Sequence, residues 1–405
     1  MRVRIEKSLA SGILDAPPSK SIVHRLLICA ALSEGVSHIK NLEGSQDILA
    51  TMDCLKSLGA KIKFEDNSAM VEGINISDIK DECELNCRES GSTLRFFIPI
   101  VLLTGKKATL YGSETLFQRP LTVYEEIFKK ENIKYTKTNN SITLKGKING
   151  GFYKLQGNIS SQFISGLLFA LPLVDKDTTI NIIPPIESLS YINLTVQALK
   201  DFGISIQWKD ERTLFIPGKQ KYKANNIVTE GDYSNTAFFE AMNILGSSVD
   251  IRGLNEASIQ GDKAYERYFP MIERGTPTIN ISDCPDLGPV LFALSGARSG
   301  GVFTGTRRLK IKESDRAAAM AEELDKFGIS VRVMEDTVIV YPNEFHAPTT
   351  ILNSHNDHRI VMALTVLLML TGGEIEGAEA VNKSFPDFFS RLNNLGVKVT
   401  VYEDN

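Results

Sequence analysis

The sequence predicts an α/β protein of two domains, each built from three copies of one repeated unit, with helices inside and sheets outside. Three observations predict it. Apolar helical patterns recur at a nearly constant period, Gly-centred helix ends recur in step with them, and the polarity of each element assigns it to a layer.

The helical patterns come first. They start near Ser21 (SIVHRLLICAAL), Gly91 (GSTLRFFIPIVLL), Ser161 (SQFISGLLFAL), Ser234 (SNTAFFEAMNIL), Asp286 (DLGPVLFALSGA) and Asp357 (DHRIVMALTVLLML), at offsets of 70, 70, 73, 52 and 71 residues. The second ladder marks where a helix meets a strand: Leu58-Gly59-Ala60, Phe202-Gly203-Ile204, Phe327-Gly328-Ile329 and Leu395-Gly396-Val397. Each Gly suits the left-handed position that ends a helix. The short fourth offset predicts a hairpin lost around Gly275 to Asp283. Strands such as Lys61-Ile62-Lys63-Phe64-Glu65 alternate, so one face meets water, whereas the long helices are apolar nearly all round and belong inside.

Composition sets the bounds. At roughly 150 residues per domain, 405 residues suggest two or three domains. An apolar share of 42% excludes a disordered chain. With 45 basic against 49 acidic side chains, the net charge of −4 argues against a general nucleic-acid binder. Five scattered cysteines fit a reducing cytoplasm, and no second Cys pair or nearby His completes a zinc site around Cys83 and Cys87. Met1 to Leu9 lacks the apolar core of a signal peptide. The most apolar run, Ile360 to Leu370, falls well short of the roughly 20 residues that span a bilayer and reads as a buried helix.

The polar residues at the helix starts carry the chemistry. A helix N-terminus offers unpaired N–H groups and partial positive charge, a ready anion site. Ser19-Lys20-Ser21 with Arg25, Ser90-Gly91-Ser92-Thr93 with Arg95, Ser160-Ser161-Gln162, and Asp357-His358-Arg359 add cations or clustered hydroxyls. Plain N-capping explains Ser, Thr and Asp at these places but not the recurring Lys, Arg and Gln. Buried helices pointing one way would converge their positive ends on one cleft. Tyr111 to Pro120 reads as a loop ending Arg119-Pro120, which fixes the backbone beside the guanidinium. Lys310 to Arg316 packs five charged residues into seven positions at a helix start, where Lys312 and Arg316 share a face. Val381 to Pro386 reads as a short loop carrying Lys383. His355 and His358 read as caps or hydrogen-bond donors rather than metal ligands, and no phosphate-binding Gly-rich loop or zinc motif is present.

Taken in order along the chain, these motifs resemble the enolpyruvyl transferase family, and within it the members that act on shikimate-3-phosphate. The further residues carrying the likeness are Leu116…Arg119-Pro120, Lys312-Glu313-Ser314-Asp315-Arg316, Asn356-Asp357-His358-Arg359 and Lys383-Ser384-Phe385-Pro386. The resemblance implies two inside-out α/β barrels, each of three βαβαββ units: six repeats, with the fourth shortened. It places a double crossover near Ala16–Ser19 and Thr229–Gly231, so that residues 1–17 and 230–405 form one domain and 18–229 the other.

The implied reaction transfers the enolpyruvyl group of phosphoenolpyruvate to the 5-hydroxyl of shikimate-3-phosphate and releases phosphate. By residue-for-residue carry-over, Lys20, Gly91, Arg119, Gln162, Arg316, Arg359 and Lys383 hold phosphoenolpyruvate. Ser21, Arg25, Ser160, Ser161, Ser188, Tyr191 and Lys312, with Lys20, Gln162 and Asp286, hold shikimate-3-phosphate. Addition followed by elimination needs two acid/base groups. Asp286 is assigned to the 5-hydroxyl, and Glu313 with Lys20 to the methylene carbon. The resemblance implies no metal or organic cofactor, no nucleic-acid or membrane partner, and a monomeric cytoplasmic enzyme. Glu89 and Arg308 depart from the family pattern, and Arg308 is left out of the site. Two rivals remain: a UDP-N-acetylglucosamine enolpyruvyl transferase, against which Glu114 and Ser21 argue, and a non-catalytic repeat scaffold, which predicts no clustered cations at helix starts.

Overall fold

The computed structural model describes residues 1–402. The chain divides into two compact units, Pro18–Glu230 and Met1–Pro17 with Gly231–Asn405. Both are mixed α/β structures of repeated small sheets.

In the unit Pro18–Glu230, three four-stranded sheets share one plan: a parallel pair, then two antiparallel neighbours. In the first sheet Asn226–Val228 pairs in parallel with Val36–Lys40, which continues antiparallel into Ser68–Glu72 and Lys61–Glu65. Alternation sorts the faces. Along Val36–Lys40 the residues Ser37 and Ile39 are buried and their neighbours exposed. The helices Lys20–Ala31, Gly91–Val101 and Ser161–Ala170 are apolar over most of their surface, so their stable place is the interior, where almost every residue is buried.

The other unit holds two four-stranded sheets. In one of them the N-terminal strand Arg2–Ile5 lies antiparallel between Gly373–Glu376 and Val399–Tyr402. The third sheet has only two strands, Ser11–Asp15 and Ser248–Arg252. Helix Tyr265–Arg274 passes through Gly275-Thr276-Pro277 straight into the strand Thr278–Asn280, with no hairpin between them. Three buried helices, Tyr233–Ile244, Gly288–Gly296 and His358–Thr371, fill this interior.

The glycines of the second ladder all have positive φ: 109° at Gly59, 79° at Gly203, 80° at Gly328 and 86° at Gly396. Only glycine adopts these values without strain, so each ends its helix and turns the chain into a strand. No helix among the described residues is long and apolar enough to cross a membrane. Cys29, Cys54, Cys83, Cys87 and Cys284 are all free and buried.

Four local expectations need correction. Tyr111 to Pro120 is not simply a loop: Glu114–Gln118 is helical because the Ser113 hydroxyl caps Leu116 N, and Arg119 follows at the helix end. Asp286 does not open an α-helix. Pro285–Leu287 is a 3-10 turn, with the α-helix starting at Gly288. Lys383 closes the 3-10 helix Ala378–Lys383 rather than sitting on a loop. At Ser19 no side-chain cap is made, since the Ser19 carbonyl accepts the first bonds while its own N–H goes to Glu230 O.

Candidate active site

In the unit Pro18–Glu230 the first turns of the buried helices gather the predicted groups. Arg25, one turn into its helix, donates Nε to Thr195 Oγ1 (2.8 Å) and NH2 to the Tyr191 carbonyl (3.0 Å), and NH1 reaches the Ser21 carbonyl. Burial lowers its pKa to about 10, so it stays a cation at neutral pH. Lys20 Nζ lies 2.9 Å from Asp47 Oδ2. Tyr191 thus holds Arg25 through its backbone carbonyl. Ser188, with a left-handed φ of 55°, stands at the start of the same helix, Leu189–Asp201.

A second cluster centres on Gly91. A Cβ there would lie 2.8 Å from Arg119 NH1, 3.5 Å from Arg95 NH1 and 3.7 Å from Gln162 Oε1, so glycine leaves two guanidinium groups and an amide facing bare backbone. Gln162 accepts from Arg95 NH1 at 2.6 Å and donates to Ser92 Oγ at 2.9 Å. Ser160 caps the Gln162 N–H, and Ser161 begins the helix, buried. Lys20, Arg25, Arg95 and Arg119 give these helix starts cationic groups suited to an anion, with Asp47 paired to Lys20.

His24 links these helix starts from below. Its Nδ1 is 2.8 Å from Thr51 Oγ1, which is 2.8 Å from Thr93 Oγ1, which donates to Ser90 Oγ at 2.7 Å. Burial, then the charges of Lys20 and Arg25, hold the imidazole pKa well below its usual value, so the chain of hydrogen bonds is neutral.

The other unit assembles a different constellation around Arg316, whose side chain is only 1% exposed. Nε donates to Asp357 Oδ2 (2.8 Å), NH1 to Asp286 Oδ1 (2.7 Å), and NH2 to Glu313 Oε2 (2.6 Å) and Asp357 Oδ1 (3.3 Å). Lys312 Nζ reaches the same Asp286 oxygen at 2.9 Å, and Arg359 NH2 is 3.9 Å from the other. Lys312 and Arg316 therefore meet on one carboxylate instead of running side by side along a helix. Burial by itself would push the Asp286 carboxyl up. Lys312, Arg316 and Arg359 outweigh it and hold the pKa well below the usual carboxylate range. Burial lowers the Lys312 pKa against the pull of Asp286. Arg359 is weakly engaged by comparison: it is buried, its NH1 is 3.4 Å from Asn235 Oδ1, and its Nε makes no hydrogen bond. Lys383 Nζ donates to the Asn356 carbonyl at 2.6 Å.

Arg95 and Asp357 hold these clusters together although the sequence reasoning used them only as motif letters. The signal was present in both: Arg95 stands four residues after Gly91, on the same helical face, and Asp357 directly precedes His358-Arg359. Asp47 and Asn235 carried no sequence signal, because their partners are brought to them by tertiary packing.

This architecture is that of the enolpyruvyl transferase fold. A 2.37 Å structure of EPSP synthase from Acinetobacter baumannii superimposes with a TM-score of 0.80, covering 99% of this chain and all of that one at 22% identity. The enolpyruvyl transferase NikO from Streptomyces tendae gives 0.77 over 98% of each chain at 14% identity. At these identities the likeness establishes the fold. Sequence comparison goes further. The family model described as EPSP synthase (3-phosphoshikimate 1-carboxyvinyltransferase) matches residues 4–392. The 3-phosphoshikimate 1-carboxyvinyltransferases of Clostridium perfringens strain 13 and Clostridium kluyveri are each 39% identical to it over 98% of both chains. The chain belongs to the EPSP synthase family, transferases of the shikimate pathway.

Proposed function

We propose that this chain carries out the family's reaction with the residues that match its pattern, moving the enolpyruvyl group of phosphoenolpyruvate onto the 5-hydroxyl of shikimate-3-phosphate. The observation that carries the reading is Asp286, a carboxylate bracketed by Lys312, Arg316 and Arg359. Such a group stays ionised and accepts a hydroxyl hydrogen bond in a strongly cationic setting.

In the addition, the substrate oxygen bonds to the central carbon of phosphoenolpyruvate. Asp286 receives the hydroxyl proton, and the methylene carbon takes a proton from Lys20 or Glu313 to become methyl. In the elimination a methyl proton returns, the double bond re-forms and phosphate leaves with the carbon–oxygen electron pair. The departing phosphate carries off the proton held by Asp286, so Asp286 is ionised again and the protons balance over the cycle. Lys20, Gly91, Arg119, Gln162, Arg316, Arg359 and Lys383 would hold phosphoenolpyruvate. Ser21, Arg25, Ser160, Ser161, Ser188, Tyr191 and Lys312 would hold shikimate-3-phosphate. Fixed cations and helix N-termini aimed at phosphate and carboxylate supply electrostatic stabilisation that costs no reorganisation during the reaction. Four of the five N–H groups of Arg316 already serve protein carboxylates, so it would contact substrate through one, while the weakly engaged Arg359 is freer to grip an anion.

The architecture fits the same reading: two inside-out α/β barrels of three βαβαββ units, the fourth repeat shortened, in a cytoplasmic enzyme. The test is phosphate release on mixing the protein with phosphoenolpyruvate and an acceptor. Release with shikimate-3-phosphate is expected, with Asp286→Asn lowering kcat about 10²–10⁴-fold. Release with UDP-N-acetylglucosamine instead would overturn the substrate assignment, and no release with either would favour a binding scaffold.

A further inference from the structure

Glu323 lies two turns along the helix that Arg316 begins, and its side chain is wholly buried. Its carboxylate is saturated. Lys326 Nζ lies 2.9 Å from both oxygens, Asn353 N donates to Oε2 at 2.9 Å, and His355 Nε2 is 3.0 Å from Oε1. Glu322 adds a third side chain that could join Glu323 and His355 around a metal ion. The Lys326 ammonium, however, already sits where a cation would bind the Glu323 carboxylate.

His355 belongs to the loop Ser354–Asp357, and this loop is conformationally demanding. His355 and Asn356 are consecutive non-glycine residues with φ of 49° and 52°. The pair is held by His355 N to Asn353 Oδ1 (2.6 Å), Asn356 N to Ser354 Oγ (3.1 Å) and Asp357 N to the Ser354 carbonyl. Gly377 leaves room for Ser354, since a Cβ there would fall on the Ser354 hydroxyl oxygen. From this loop the Asn356 carbonyl holds Lys383, and the Asp357 carboxylate holds Arg316. The loop is thus attached to one helix at two points, Asp357 on Arg316 and His355 on Glu323, about 10 Å apart along its axis. Two attachments fix both the position and the rotation of the loop. Asn353 N on Glu323 Oε2 and Ser354 N on the Glu376 carbonyl anchor the strand end that enters the loop, and the His355 contact adds a side-chain attachment within it.

We propose that Glu323 and His355 are positioning residues for phosphoenolpyruvate, fixing the loop from which Asn356 and Asp357 aim Lys383 and Arg316. The proposal rests on the reading above for what Lys383 and Arg316 hold. The hydrogen bond to Glu323 raises the His355 pKa, outweighing burial; Glu322 adds to the effect and Lys326 opposes it. Burial would raise the Glu323 pKa, but His355, Lys326 and the Asn353 N–H together lower it. With the His355 pKa raised in the folded protein, the charged attachment is complete at low pH and is lost as pH rises through that pKa.

The test compares the full-length protein with His355→Ala, His355→Gln and Glu323→Gln. In His355→Ala the KM for phosphoenolpyruvate is expected to rise about tenfold, the effect of withdrawing roughly one hydrogen bond to a charged group, with the KM for shikimate-3-phosphate within about twofold. His355→Gln keeps an N–H donor and is expected to restore most of the loss. It also removes the pH dependence that wild type shows relative to it, a ratio in which the substrate's own titration cancels. Amide exchange over residues 354–359, measured without substrate, is expected to accelerate in His355→Ala and Glu323→Gln but not in His355→Gln. Unchanged exchange and KM in His355→Ala would overturn the proposal, as would an equal rise in both KM values that His355→Gln fails to rescue. Absence of phosphate release by wild type would instead overturn the substrate assignment, leaving the exchange comparison to decide the loop's attachment.

Discussion

Gly91 is a residue whose missing side chain defines its surroundings. Arg119 NH1 lies 2.8 Å from where a Cβ would be, and Arg95 and Gln162 stand just behind. In Gly91→Ala the Arg119 guanidinium, the far end of a flexible side chain, must move. The fold therefore survives, with Tm expected within a few degrees of wild type, while the KM for phosphoenolpyruvate rises at least several-fold and kcat changes little. Steady-state kinetics in both substrates checks this, and a fall in kcat alone would count against it. Asp286 sets a pH limit of the same local kind. Its pKa is depressed in the folded state, so its contribution to stability is present above the ordinary carboxylate pKa of about 4 and is lost as pH falls through the lower folded value. The Ser-Gly-Ser-Thr string was legible as a candidate anion site at a helix start, and the Lys-Glu-Ser-Asp-Arg string as a cluster of charge. The Asp47 and Asn235 contacts were not, because sequence spacing carries no information about which distant turn packs alongside.

Helices Gly91–Val101 and Ser161–Ala170 bring Arg95 and Gln162 within 2.6 Å, and Gly166 permits that approach. A Cβ at Gly166 would fall on the Tyr124 hydroxyl oxygen and the Arg95 carbonyl oxygen, which are joined in a buried hydrogen bond of 2.6 Å. Gly166→Ala is therefore expected to destabilise the protein by about 1–3 kcal/mol through overpacking, read as a lowered midpoint in urea unfolding. A midpoint equal to wild type would show that the helices separate freely. Helix starts were readable within a residue or two, since caps and apolar periodicity are local properties. The 3-10 turn at Pro285–Leu287 and the helical turn at Glu114–Gln118 were not. Both are single turns too short for a period to show, and capping and neighbouring prolines decide them.

At the scale of the whole molecule, the five cysteines lie in the cores, where burial pushes the Cys29, Cys87 and Cys284 thiols up and keeps them un-ionised. A thiol reagent at pH 8 is expected to modify none of the five within minutes under native conditions, and all five after denaturation. Rapid modification of one thiol in the native protein would contradict the packing described. The −4 net charge gave no hint of an anionic substrate because it is a sum over the whole chain, in which the cations gathered at helix starts are outweighed by acidic residues elsewhere. The two-stranded sheet has a practical consequence. Elsewhere the hairpin that follows the second helix spans ten or twelve residues, as in Gln207–Asp210 with Thr213–Ile216 and Lys61–Glu65 with Ser68–Glu72. Its place here is taken by Gly275-Thr276-Pro277, where nothing lies within 4 Å of a Cβ built on Gly275. That turn is a natural port for grafting, a surface position where an affinity tag or a reporter domain can be spliced into the chain without touching a core residue.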